Sequence, residues 1–493
     1  MYSGFKKIMM AVPASITAVI LSAVPVFAVD TPPADPKPAP ASTAPALVAP
    51  PKDSKTPAAS PEIVVPSTGA DSFSQALIAT YQSNPRIKAQ QKALTALDEN
   101  VSQAHSGWLP SAEANYSNGR QRLRTNDQKW NYGNKETRGL TVVQPVFQGG
   151  ETIAQTSRAE NLVYAGREDL RNTEQQVLLD AITAYMDVLR DQSVLDLSRN
   201  NEEVLKKQLQ ASRERFDVGE VTKTDVAQSE ARLSRADSDT IQALGSLRVS
   251  EANFERVVGH RPNNIMVPQS YPAVPRSLDE ALKIGQDNSP TVKSASYRQL
   301  STEDEVDINV ARILPDINLR GSMSRDNDAG TNGDFDFDED SVLMTVRVPL
   351  YQSGAEYSRI RQSKETASQR KFDLLNAKDE NRQEVTQAWE NLQTAIATIR
   401  SQQDSIRAAE VALDGVKQEH LYGTRTVLDV LDAEQELFVA RVNLVRAERN
   451  RVVSLYTLLS AVGQLTLDNL GLRTTVYDPN DHYDDVKYQF IGF

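Results

Sequence analysis

The sequence contains no cysteine. That excludes disulfides, thiolate zinc sites, iron–sulfur clusters, a cysteine nucleophile and a lipid-modified N-terminal cysteine. Aromatic residues are scarce at 6%, hydrophobic residues reach only 39%, and the mean hydropathy is -0.46. In a chain of 493 residues, such values fit long helices with one narrow apolar stripe better than several compact cores. Positive charge is also in deficit: 54 Lys and Arg face 66 Asp and Glu, for a net charge of -12. No nucleic-acid partner is expected of such a surface. The four histidines, His105, His260, His420 and His482, are scattered, and no Gly-rich phosphate loop, His-Glu-x-x-His or Gly-x-Ser-x-Gly occurs. The reading therefore excludes an enzyme and implies no cofactor and no metal site.

Long apolar runs are missing too, with one exception. Behind Lys6 and Lys7, the stretch from Ile8 to Phe27 is mostly apolar and uncharged, and Val26-Phe27-Ala28 fits a small-x-small cleavage site. Residues 1–28 are expected to be a signal peptide cut after Ala28. Pro13 and Pro25 inside the run speak against a retained membrane anchor. No later window offers 18 uninterrupted apolar residues, so no other membrane helix is expected. Residues 31–66 then hold eleven of the 24 prolines. Residues 29–70 are expected to be a disordered linker that cannot bury a core.

What remains is one unit written twice. Asn84-Pro85 returns as Ser289-Pro290 and Leu109-Pro110 as Leu314-Pro315, both at an offset of 205. Pro145-Val146-Phe147-Gln148-Gly149-Gly150 returns as Pro349-Leu350-Tyr351-Gln352-Ser353-Gly354, and Thr224-Asp225-Val226 as Leu428-Asp429-Val430, now at 204. A period this long marks a duplicated domain rather than a solenoid. The first copy is placed at 71–265, the second at 266–472, and a C-terminal tail at 473–493.

Each copy reads as helix, strand pair, very long helix and final helix. The first helices are expected over about 72–107 and 277–313, each stopped by Leu-Pro. Strands are expected at about 111–124 and 137–147, then at 316–325 and 341–351; Val342, Met344, Val346 and Val348, for example, alternate with Leu343, Thr345 and Arg347. The proline-free stretches 151–217 and 355–421 would each span roughly 100 Å as a helix. In the second, Val385, Trp389, Leu392, Ile396 and Ile399 step by 4, 3, 4 and 3, with Ile406 and Leu413 further along, which predicts a coiled-coil seam. Final helices follow at about 223–259 and 427–463.

Four strands of membrane-crossing length cannot close a barrel alone, whereas three chains would supply twelve. A shared trimeric barrel is one reading; two exposed hairpins on a soluble rod, as in a coiled-coil envelope structural protein or adhesin, is the other. A periplasmic adaptor would need a lipoyl-like β-domain between two helices, and none is present.

Taken in order over 71–465, these features resemble the TolC family of outer-membrane efflux and type I secretion channels. The marks are the duplicated helix–hairpin–helix unit, Leu-Pro before the first strand and Pro-Val-Phe-Gln-Gly-Gly at the barrel-to-helix joint. To these are added the turn sequences that contain Thr224-Asp225-Val226 and Gly423-Thr424-Arg425-Thr426-Val427-Leu428-Asp429-Val430-Leu431-Asp432. The resemblance implies an α+β fold: a trimeric 12-stranded barrel in the outer membrane, continued by a coiled-coil helical tunnel through the periplasm. It also implies a periplasmic adaptor and an inner-membrane transporter of the RND or ABC type as partners, with outer-membrane lipid around the barrel.

The turns admit a structural reading first. Gly219 and Gly423 stand where a helix ends in a left-handed residue. Thr222 and Thr426 look like N-caps, with Asp225 and Asp429 three residues later as an acidic capping box. Asp432 lies one turn beyond Asp429 on the same face, its counterpart is the neutral Gln228, and capping gives it no reason to be there. The resemblance implies that Asp429 and Asp432 form a cation-favouring constriction at the periplasmic end. It further implies that Arg425 meets Thr224 and Asp225, with Gln208 and His420 completing a closed-state network. The family pattern has tyrosine where this chain has His420, whose charge would follow pH. The outer loops differ in charge, basic in the first copy (Arg120, Arg122, Arg124) and acidic in the second (Asp334, Asp336, Asp338). They are read as solvated loops; the acidic set lacks the spacing of a calcium loop.

Overall fold

The computed structural model describes residues 72–124, 129–268, 270–329 and 335–490. The expected signal peptide and the whole of the expected linker lie outside the described residues. The first copy begins with helices α1 (Phe73–Ser83) and α2 (Pro85–His105), followed by strands β1 (Ser111–Leu123) and β2 (Asn131–Gln148). It ends with α3 (Glu151–Asp217) and α4 (Lys223–Val258). The second repeats the plan with α5 (Leu278–Asn288), α6 (Pro290–Ala311), β3 (Asp316–Ala329), β4 (Phe335–Arg347), α7 (Ala355–Leu421) and α8 (Val427–Ala461). A short α9 (Asp481–Val486) lies in the tail.

Two expectations are corrected. The single opening helix of each copy is two helices. Asn84 and Ser289 precede prolines and take extended backbone, ψ 123° and 121°, because a proline ring disfavours helix in the residue before it. The proline then starts the next helix, where its missing N–H costs nothing. Asn84 also ties the break down: its side chain accepts from the Arg86 amide at 2.9 Å and donates to the Val257 carbonyl at 3.0 Å. The second correction concerns the α7 seam. Val385, Ala388, Leu392 and Ala395 are buried, while Ile396 is 39% exposed and Trp389 only partly covered. Small alanines at alternate seam positions let α8 approach closely, which displaces the larger side chains to the flank.

The main core lies where α1, the start of α2, α3, α4 and α8 meet. Tyr185, Tyr456, Phe254, Leu77 and Ile87 are fully buried there. Phe73 packs edge-on against Tyr185, ring centroids 5.2 Å apart. The buried Tyr185 hydroxyl donates to the Met266 carbonyl at 2.7 Å, so its polar end is satisfied. Beyond this node, α3–α4 and α7–α8 run as antiparallel pairs with narrow seams, and no helix among the described residues is apolar enough to cross a membrane.

The four strands form one antiparallel sheet in the order β1-β2-β3-β4. The hairpins of the two copies are thus joined by β2 against β3. Register separates the faces: Ala112, Val142, Gly321 and Val342 lie across from one another, whereas the next row is Glu113, Thr141, Ser322 and Ser341. The apolar face is open, with Val342 75% and Met344 70% exposed. Among the described residues, the outer edges of β1 and β4 are unpaired.

Each sheet-to-helix joint needs left-handed backbone. Gly149 and Gly150 have φ 62° and 89°, and a Cβ on Gly149 would stand 2.5 Å from the Ala311 carbonyl oxygen. The second joint uses Ser353, φ 52°, and Gly354, φ 79°.

Candidate functional site: the two helix turns

The α3–α4 and α7–α8 turns have the same wiring. Gly219 and Gly423 take φ 83° and 81°. The Asp225 carboxylate accepts from the Thr222 amide at 2.9 Å and its hydroxyl at 2.8 Å, and the Thr222 hydroxyl accepts from the Asp225 amide at 3.3 Å. Asp429 and Thr426 repeat this at 2.9, 2.8 and 3.2 Å. The Thr426 amide and hydroxyl, with Arg425 and His420 nearby, hold the Asp429 carboxyl below the usual carboxylate range.

The second turn carries more. Arg425 donates from Nε to Glu419 at 2.8 Å and lies 3.9 Å from Asp429. His420 links three segments: Arg215 of α3 stands 3.1 Å from Nε2, and Nδ1 lies 3.0 Å from the Arg425 carbonyl. A guanidinium only donates, so Nε2 is the acceptor and the proton sits on Nδ1. Asp432 forms an ion pair with Arg232 of α4. Capping gives Asp432 no role, and the structure supplies a partner from the other copy instead.

Within the chain, Arg425 does not reach Thr224 or Asp225. The Asp225 carboxylate is taken up by its own cap, and Glu419 and Asp429 surround the guanidinium instead. Thr224 is exposed in the first turn of α4, and Gln208 is half-buried on α3. His420, Arg425, Asp429 and Asp432 are thus brought together at one end of the helix pairs, while Gln208 and Thr224 are not joined to them. Arg215, Arg232 and Glu419 were missed. A signal existed: at the 204 offset Arg215 faces Glu419 and Arg232 faces Glu436, two inversions of charge between otherwise matching turns.

A sequence profile described as outer membrane efflux protein matches residues 77–260 and again 282–464, once for each copy. The outer membrane efflux protein BepC of Brucella suis biovar 1 is 34% identical over 424 residues, covering 86% of this chain and 92% of that protein. The chain belongs to the outer membrane efflux protein family. Outer membrane protein TolC of Escherichia coli is 26% identical over 440 residues, covering 84% of this chain and 87% of its own. The solved outer-membrane channel OprN shares the fold, with a TM-score of 0.69 at 17% identity over 80% of this chain and 90% of its own. Members of this family are outer-membrane channels and not enzymes, and the family places the chain in the outer membrane.

Proposed function

We propose that the protein works as a trimer, the exit duct of a tripartite efflux or type I secretion system. The observation that carries this reading is the sheet: four strands, apolar on one face, open at both edges, on a chain with two helices of 67 residues each. Unpaired strand edges are untenable in lipid, and four strands cannot close; twelve can. Three copies would pair β4 of one with β1 of the next and turn the apolar face to outer-membrane lipid. The α3–α4 and α7–α8 pairs then form a tunnel in the periplasm, with the turns at its far end. A rod or adhesin leaves the open apolar face without a purpose.

In this reading Asp429 and Asp432 line a cation-favouring gate at the periplasmic mouth. Arg425, with Thr224 and Asp225 of a neighbouring subunit, and with Gln208 and His420, holds it closed. A periplasmic adaptor and an inner-membrane transporter, of RND or ABC type, engage that end. Detergent-solubilised protein from outer membranes is expected to run as a heat-sensitive trimer and to conduct in planar bilayers. A monomeric or dimeric conducting species rejects the proposal.

A further inference from the structure

The two turns differ mainly in charge. Arg232 of the first copy corresponds to Glu436 of the second, and Asp432 to Gln228. The structure joins the two departures: Arg232 reaches from α4 to α8 and pairs with Asp432. The arginine side chain is 26% exposed and the aspartate 57%, so the guanidinium backs the pair and the carboxylate presents its open side. Asp429, one turn away, is engaged by its cap and by Arg425 instead. Asp432 is the one ion-pair partner of Arg232 among the described residues.

We propose that Arg232 is a specificity-determining residue, a counter-charge that cancels Asp432 in the closed mouth and so sets how strongly the channel prefers cations. This rests on the gate reading above. A guanidinium keeps its charge at every working pH, so the cancellation is permanent while the pair is intact. The pair also ties a first-copy helix to a second-copy helix. Any motion that parts α8 from α4 uncovers Asp432, and the mouth attracts cations more strongly as it widens.

Reversal potentials of the full-length protein in planar bilayers, across a KCl gradient, test this. Arg232→Gln leaves a bare carboxylate and should raise the cation-to-anion permeability ratio by about twofold or more, the effect of a unit charge some 10 Å from the ion path. Asp432→Asn leaves a bare guanidinium and should lower it. The double variant should return near the wild type, and Arg232→Lys should retain wild-type preference. Arg232→Met replaces Arg232→Gln if the latter does not assemble. An unchanged or lower ratio in Arg232→Gln, or shifts of the same sign in both single variants, overturns the proposal. Asp429→Ala with Asp432→Ala separates the failures: if that variant keeps full cation preference the gate reading falls, and if only the Arg232 variants are silent the counter-charge alone falls.

Discussion

Replacing His420 with Phe removes one side-chain node without changing the shape of the turn, because Phe216 holds the matching place in the first copy. Two hydrogen bonds are lost, from Arg215 at 3.1 Å and to the Arg425 carbonyl at 3.0 Å. A bond with an ionised donor is worth about 1.5–3 kcal/mol net and a neutral one about 1 kcal/mol. Both stand near water, so about 1 kcal/mol per chain is a fair sum for the pair. If closure of the proposed trimer needs all three, the loss of about 3 kcal/mol raises the open population about 150-fold. Single-channel recording should show longer openings with the same full conductance. Unchanged open times in His420→Phe, or an Arg215→Gln variant without the same effect, would refute the reasoning.

Replacing Asp429 and Asp432 by Ala should weaken cation preference and block by multivalent cations, while Arg425→Ser should raise conductance; bilayer recording of both decides it. Gly149→Ala forces a Cβ against the Ala311 carbonyl at φ 62° and should lower the dissociation temperature of the assembly, by about 1–3 kcal/mol in stability, whereas Ser353→Gly, already at φ 52°, should not. Asp98 of α2 is fully buried beside His482 of the tail, 3.2 Å away, and burial raises its carboxyl above the usual range. Its ionised form is the costly one, so docking of the tail should weaken as pH rises past that raised value. Asp98→Asn should flatten the dependence, read as protease cutting within 473–490; firmer docking of the wild type in alkali would contradict this.

The long helices were legible because nothing interrupts them: no proline occurs in 151–217 or 355–421, a glycine precedes each, and a glycine follows each before the Thr cap of the next helix. The caps of Asp225 and Asp429 were legible for a similar reason, since donor and acceptor lie three residues apart. The break at Asn84 was hidden by an apolar pattern that runs through it, although the following proline announces it. The α7 seam was read from its large residues, and alanine, nearly silent in a hydrophobic pattern, took half the buried positions. The pairs Arg215–His420 and Arg232–Asp432 join residues 205 and 200 apart, and no periodicity reports which side chains two distant helices bring together.

The junction of β2 with β3 bears on how the chain is made. These strands come from different copies, and the whole of α3 and α4 lies between them. Pairing them demands closure of a loop longer than a hundred residues, a slow step. Until it is complete, two hairpins with bare edges travel separately, and even the finished sheet leaves the outer edges of β1 and β4 unpaired among the described residues. Such edges are templates for wrong pairing. In the proposed trimer, the part that enters the lipid is thus the last to be completed, and a newly exported subunit would need either a chaperone on its sheet or two companions close by.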